Sequence, residues 1–186
     1  MKILLVFCHP RESSLTGEIA RSFQLGAIQA GHEVEFVDLY REDFDPILYE
    51  HDEPSDGTLE SYSEDIQTEF LRINRNEAVV MVFPVWWWSM PAMLKGWIDR
   101  VWNYGLTYGP ASHNIKKGLI IGLTGATTKD LQKRDYDTAI KTTLDIGILD
   151  FNSIPSTQMV IMDGTSEGES YQKKHIELAH SIGLEF

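Results

Sequence analysis

Three short segments of this 186-residue chain carry side chains whose types and spacing suit ligand chemistry. The first runs from Cys8 to Thr16, where His9, Arg11, Ser13, Ser14 and Thr16 crowd the start of a helical pattern. Main-chain amides at a helix start, helped by hydroxyls and an arginine, make an anion site. The same hydroxyls also serve as caps for their own backbone, and for this segment alone both readings stand. The second is Phe83-Pro84-Val85-Trp86-Trp87-Trp88-Ser89-Met90-Pro91. Successive side chains diverge, so Trp86, Trp87 and Trp88 cannot share one core, and at least one of them faces a cleft or a second subunit. Exposed indoles beside main-chain amides suit a planar heterocycle with a hydrogen-bonding edge. The third is Leu123-Thr124-Gly125-Ala126-Thr127-Thr128, a plain turn or a place where backbone approaches a ligand closely.

A phosphate site, a stacking wall and a close-approach loop together describe a cradle for a phosphorylated flat ring, and flavin fits all three. Something must bring the segments together. Each follows an apolar run that reads as a buried strand: Lys2–Phe7, Glu77–Phe83 and Lys117–Thr124. His32–Leu39 and Gln158–Met162 supply two further strands. Helical spacing places helices over Thr16–Ala30, with Ile19, Ala20, Phe23, Ala27 and Ile28 inward, and over Ser61–Arg75, through Ile66, Phe70, Leu71 and Ile73. Further helices are predicted over Pro91–Asn103, Lys129–Phe151 and Glu169–Ile182. On the third of these, Leu94, Trp97, Ile98, Val101 and Trp102 form the buried face, and Lys95, Asp99, Arg100 and Asn103 the outer one. Strict alternation of strand and helix predicts a parallel sheet covered on both faces. Five such units fit a three-layer αβα sandwich, the flavodoxin-like fold with strand order 2-1-3-4-5, in which ligands sit at the carboxyl rim of the strands.

Length and composition predict one domain, residues 1–186, of soluble cytoplasmic type. No apolar run approaches the ~20 residues of a bilayer span. Sixteen basic against 28 acidic residues give a net charge of −12, which argues against nucleic acid or an anionic membrane as partner. Eleven of the acids lie between Glu42 and Glu69 and read as a solvated loop and helix face, with turns at Asp45-Pro46 and Glu53-Pro54. The lone cysteine, Cys8, directly follows a strand and reads as an inert buried thiol. The histidines lack metal-ligand spacing, so no metal is expected. Neither G-x-G-x-x-G nor a P-loop motif occurs, and G-x-S-x-G and H-E-x-x-H are absent too.

The segment Phe83–Val101 is similar to the signature F-P-x-x-W-x-x-x-P-A-x-L-K-G-W-x-[DE]-R-V of the flavodoxin-like NAD(P)H:quinone oxidoreductases, the group of the DT-diaphorases, bacterial quinone reductases and potassium-efflux ancillary flavoproteins. Ile3–His9 with Ser13 and Ser14 resembles that family's first strand and phosphate loop, and Asp38-Leu39-Tyr40 with Phe44-Asp45-Pro46 its second strand and loop. The resemblance implies that His9, Ser14, Leu15 and Thr16 hold the cofactor phosphate. It further implies that Pro84, Val85, Trp86, Trp87 and Trp88 line one side of the flavin ring and Thr124, Gly125 and Ala126 the other. Gly105–Gly109 resembles the segment that reaches into the partner's site in a homodimer, which makes Tyr108 a substrate contact. The implied reaction is hydride transfer from NAD(P)H through flavin to a quinone or similar acceptor, with FMN favoured over FAD by the short chain. Two rival functions share these residues: a redox-sensing ancillary subunit docked on a potassium-efflux transporter, and a flavodoxin-type electron carrier. The longer mammalian members use a Tyr and His pair after the third loop as a proton relay. Between Thr127 and Asp137 only Tyr136 is aromatic, and no proton donor is assigned.

Overall fold

The computed structural model describes residues 1–53, 56–110 and 113–186; Pro54, and with it the Glu53-Pro54 turn, lies outside the described residues. Five strands, β1 (Lys2–Phe7), β2 (Glu33–Asp38), β3 (Ala78–Pro84), β4 (Lys117–Leu123) and β5 (Ser156–Met162), form one sheet in the order β2-β1-β3-β4-β5, with every pairing parallel. This is the flavodoxin-like order read from the sequence. The central strand β3 is buried along its whole length, as its unbroken apolar sequence requires when helices cover both faces.

One face of the sheet carries α1 (Leu15–Gln29) and α6 (Glu169–Glu185). These two helices meet backbone to backbone. A Cβ at Gly26 would overlap the His180 carbonyl, and one at Gly183 the Phe23 carbonyl, while the Ser22 hydroxyl donates to the Ile176 carbonyl at 2.7 Å. The other face carries α2 (Glu64–Asn74) and α3 (Ala92–Val101), which pack Ile66, Phe70, Leu94 and Trp97 into the larger core.

Four sequence expectations change. Ile28 and Leu71 are half exposed, each lying at the margin of its helix's apolar stripe. Arg100 and Asn103 are buried rather than outward-facing. The acidic stretch is not wholly solvated, for Asp52 and Glu69 are buried within it. The burial of Arg100, Asn103 and Asp52 has one cause. Arg100 donates to the Asp52 carboxylate at 2.9 Å and to the Asp45 carbonyl at 2.8 Å, and Asn103 donates to the Asp52 carbonyl at 3.1 Å. The long loop after β2 is thereby fastened to α3. Glu69 accepts from the Trp97 indole at 2.9 Å, and burial raises its pKa above the ordinary carboxylate value despite that bond and the neighbouring Arg72.

The fourth change concerns the predicted helix Lys129–Phe151. It is broken into α4 (Thr128–Gln132), α5 (Tyr136–Lys141) and a π-helical segment, Thr142–Asp150. Thr127 and Asp130 form a reciprocal capping box that starts α4, and Asp135 takes a left-handed φ of 55° that separates it from α5. The buried apolar residues Ile140, Leu144 and Leu149 recur at four and five positions, wider than the 3.6-residue α-turn, and the looser π-turn brings them to one face.

Candidate active-site cleft

From β1 the chain crosses to the edge strand β2, returns to β3 and then proceeds outward to β4 and β5, so its direction reverses between β1 and β3. The loops after β1, β3, β4 and β5 emerge on one rim, with Phe7 paired to Val82, Pro84 to Leu123 and Leu123 to Met162. Ligands bind at such a switch point because the loops on either side diverge and leave a crevice. A cleft of about 210 Å³ lies there. His9, Arg11, Ser14, Leu15 and Thr16 line it from the first loop, Pro84, Val85 and Trp86 from the second, Leu123 and Gly125 from the third, and Thr165 from the loop after β5.

The first loop is held from three directions. Ser14 caps α1, its hydroxyl oxygen accepting from the Gly17 amide at 3.2 Å, and a Cβ at Gly17 would overlap the Glu12 carbonyl, so glycine lets the loop fold back on the helix. The Arg41 guanidinium donates to the His9 carbonyl at 3.1 Å and the Pro10 carbonyl at 2.7 Å. The Arg11 amide donates to His9 Nδ1 at 3.0 Å. Burial, followed by the charges of Arg11 and Arg41, lowers the His9 pKa below its ordinary value, against the opposing hydrogen bond to the Arg11 backbone. Helix geometry leaves the Leu15 and Thr16 amides without intrahelical acceptors. Ser14 is therefore a cap whose oxygen is used, and beside it two amides and Arg11 give this end of the loop a positive potential, the surroundings that suit an anion.

The second loop is a tight turn in which Trp86 and Ser89 exchange both backbone hydrogen bonds, at 2.9 and 3.1 Å. Its two central residues, Trp87 and Trp88, have φ of 50° and 62°. Side-chain-bearing residues in this left-handed region cost about 1–2 kcal/mol each, and turns of this kind ordinarily carry Asn or Gly. Trp86 and Trp88 are partly exposed and Trp87 is 94% exposed. The Trp86 ring lies 5.9 Å from that of His9, centroid to centroid, and Trp88 stacks on Tyr136 at 3.9 Å and 14°.

In the third loop the Thr124 hydroxyl oxygen accepts from the Ala126 amide at 3.2 Å, and the Thr124 carbonyl accepts from the Thr165 amide at 3.1 Å. A Cβ at Gly125 would stand 2.7 Å from the Ser166 hydroxyl, so the close approach read from the sequence is made first by the chain itself. Thr124 and Ala126 support this loop from behind without lining the cleft, and Trp87 and Trp88 stand at its margin. Tyr108 lies elsewhere, in a cavity of about 440 Å³ before the amino ends of β4 and β5, with its ring 5.6 Å from that of Phe151. Sequence reading missed Thr165. Its signal was available, since the segment after a fifth parallel strand reaches the same rim.

The cleft thus brings amide and arginine donors suited to an anion together with a partly exposed indole and a glycine, the surroundings a phosphorylated flat ring requires. Cys8 contributes nothing to it. The thiol is fully buried, and burial pushes its pKa up to about 12. Among the described residues no group of three or more His, Cys, Asp and Glu side chains is placed to hold a metal ion, and no helix is long and apolar enough to cross a membrane.

The sequence matches the family described by a flavodoxin-like fold, Flavodoxin_2, over residues 1–181. It is 34% identical over 178 residues to the uncharacterized NAD(P)H oxidoreductase YcaK of Escherichia coli (strain K12), covering 91% of this chain and 90% of that one. It is 28% identical over 155 residues to the ribosyldihydronicotinamide dehydrogenase (quinone) of Mus musculus, covering 72% of this chain and 67% of that one. Among solved structures, the NAD(P)H:quinone oxidoreductase from Methanothermobacter marburgensis superposes with a TM-score of 0.91 at 29% identity, covering 99% of this chain and 94% of that one.

Proposed function

This chain belongs to the flavodoxin-like fold family, and from that premise we propose that it is a flavin-dependent NAD(P)H oxidoreductase reducing a quinone or similar flat acceptor. The observation that carries the reading is one crevice at the β1/β3 switch point that joins the free amides of Leu15 and Thr16 to the open face of Trp86. When bound, the flavin supplies the centre that takes a hydride from NAD(P)H and passes it on.

The chain's own groups bind and orient. The Leu15 and Thr16 amides, the Ser14 hydroxyl proton and Arg11 hold the phosphate. The His9 ring adds a polar edge there. Pro84, Val85 and Trp86 form the wall for one face of the ring, and Gly125, supported by Thr124 and Ala126, leaves room at the other. Trp87 and Trp88 shield the outer margin. FMN suits the cleft better than FAD, since its single phosphate is matched by a single amide cluster. The YcaK and mouse relatives are named for oxidoreductase and dehydrogenase activity, and neither the transporter-bound sensor nor the one-electron carrier draws support from them.

A homodimer goes with this reading. The cleft within one chain is smaller than the ~300–1,000 Å³ of a typical ligand pocket, and large apolar side chains such as Trp87, Ile47, Leu48 and Phe151 stand exposed, the kind of residue a second copy covers. Tyr108 then completes the acceptor site across the dimer. We place the enzyme in the cytoplasm, where its pyridine nucleotide donor is available. Purified protein incubated with FMN should turn yellow and oxidise NADH or NADPH only when a quinone is present. A colourless protein that rejects FMN and FAD alike would overturn the proposal.

A further inference from the structure

The turn that carries the cleft's indole wall is strained, and one contact outside the cleft restrains it. Trp87 and Trp88 both take left-handed backbone conformations, yet neither is a residue that adopts them freely. The Trp87 side chain is 94% exposed. Trp88 stacks flat on Tyr136, 3.9 Å between centroids and 14° between planes. Tyr136 opens α5 immediately after Asp135, which is itself left-handed at φ 55°. Two strained backbone segments, one after β3 and one after β4, are therefore joined ring to ring at the rim. On its other flank the turn meets His9 through Trp86 at 5.9 Å.

We propose that Tyr136 is a positioning residue: by stacking on Trp88 it holds the Trp86–Ser89 turn in the conformation that presents Trp86 to the flavin cleft. The proposal rests on the flavin reading above. Left to itself a turn of this sequence relaxes toward right-handed backbone at Trp87 and Trp88, which rotates the plane of Trp86 away from the cleft. A ligand that binds only the presented form then has its apparent affinity reduced by the fraction of molecules in that form. The stack raises the fraction in advance, so the binding surface is formed before the ring arrives.

Y136L removes the stacking ring and should weaken FMN binding roughly three- to tenfold, the range that one stacked aromatic pair corresponds to. Tyr136→Phe, which keeps the ring and discards the hydroxyl, should bind within twofold of the unsubstituted protein. A near-UV circular dichroism band from the stacked indole, measured on the flavin-free protein, should fall in Y136L and persist in Y136F, while the far-UV spectrum of both is retained. A double-mutant cycle supplies the reading that a general loss of packing would not reproduce. In a W88G background glycine takes the left-handed conformation without strain, and adding Y136L should then change FMN affinity less than twofold. Unchanged binding by Y136L, equal weakening by Y136F, or a full Y136L effect in the W88G background would each overturn the assignment. If the unsubstituted protein binds no flavin at all, the functional reading fails first, and the two failures are told apart by that control. Should Y136L not fold, Tyr136→Gln takes its place in the same cycle.

Discussion

The guanidinium of Arg100 donates to the carboxylate of Asp52 at 2.9 Å with both side chains shut away from water, 3% and 0% exposed. Asp65 adds a second carboxylate at 2.7 Å. An ion pair in this setting offsets its own desolvation only while both members are present. Arg100→Ala should therefore destabilise the fold by about 3–5 kcal/mol, because it leaves a buried carboxylate without its partner. Chemical denaturation of R100A against the unsubstituted protein measures this, and a loss below about 1 kcal/mol, the worth of an exposed pair, would show that Asp52 finds water instead.

Arg41 works on the cleft from outside, through the carbonyls of His9 and Pro10. Each hydrogen bond from a charged donor is worth about 1.5–3 kcal/mol, and the cleft feels the part of that which holds the loop in place. Arg41→Ala should weaken FMN binding about tenfold by loosening the first loop, with little change in the far-UV spectrum. Fluorescence titration of FMN reports the loss, and an unaltered dissociation constant would remove Arg41 from the site's support.

The Cys8 pKa of about 12 exceeds the unfolded value of about 8.5. A raised acid favours the folded state while it stays protonated. Its contribution is complete below the unfolded value and is lost as the pH climbs from there toward 12. At pH near 8 a thiol reagent should label the unfolded protein quickly and the native protein only as fast as it opens. Cys8→Ser should retain turnover with NAD(P)H and quinone, and loss of turnover without loss of fold would restore a chemical role to the thiol.

His9 has the opposite displacement for a base. Its folded pKa lies below the unfolded value of about 6.5, so its stabilising contribution is complete above that pH and is lost as the pH falls through the folded value. The His9 ring resonance of the flavin-free protein should therefore move at a lower pH than that of a free imidazole. A midpoint at the ordinary value would show that the ring is not displaced, and one well above it would mean that the ring is charged at neutral pH and binds phosphate as a cation.

The sheet was legible because its strands are short apolar runs separated by helical patterns, and burial on both faces leaves only one economical way to arrange them. The rim followed from the same topology, which is why His9, Ser14, Leu15, Thr16, Pro84, Val85, Trp86 and Gly125 converge. What escaped depends on partners far away in the chain. Helical periodicity placed Arg100 outside because it counts residue types along one element, whereas Arg100 is drawn inward by Asp52 from another. The left-handed turn at Trp87 and Trp88 carries neither Asn nor Gly to announce it. The break after α4 turns on the left-handed Asp135, and the π-turns that follow α5 arise where apolar residues recur too widely for an α-helix, a spacing easily taken for a helix of ordinary pitch.

The glycine contacts between α1 and α6 set a condition on synthesis. Phe23 and Ala27 lie on the flank of α1 that the closing helix touches, so during translation that flank waits uncovered until residues 169–185 have cleared the ribosome. Until then the apolar side chains of Phe23 and Ala27 lack the cover that α6 gives them in the finished fold.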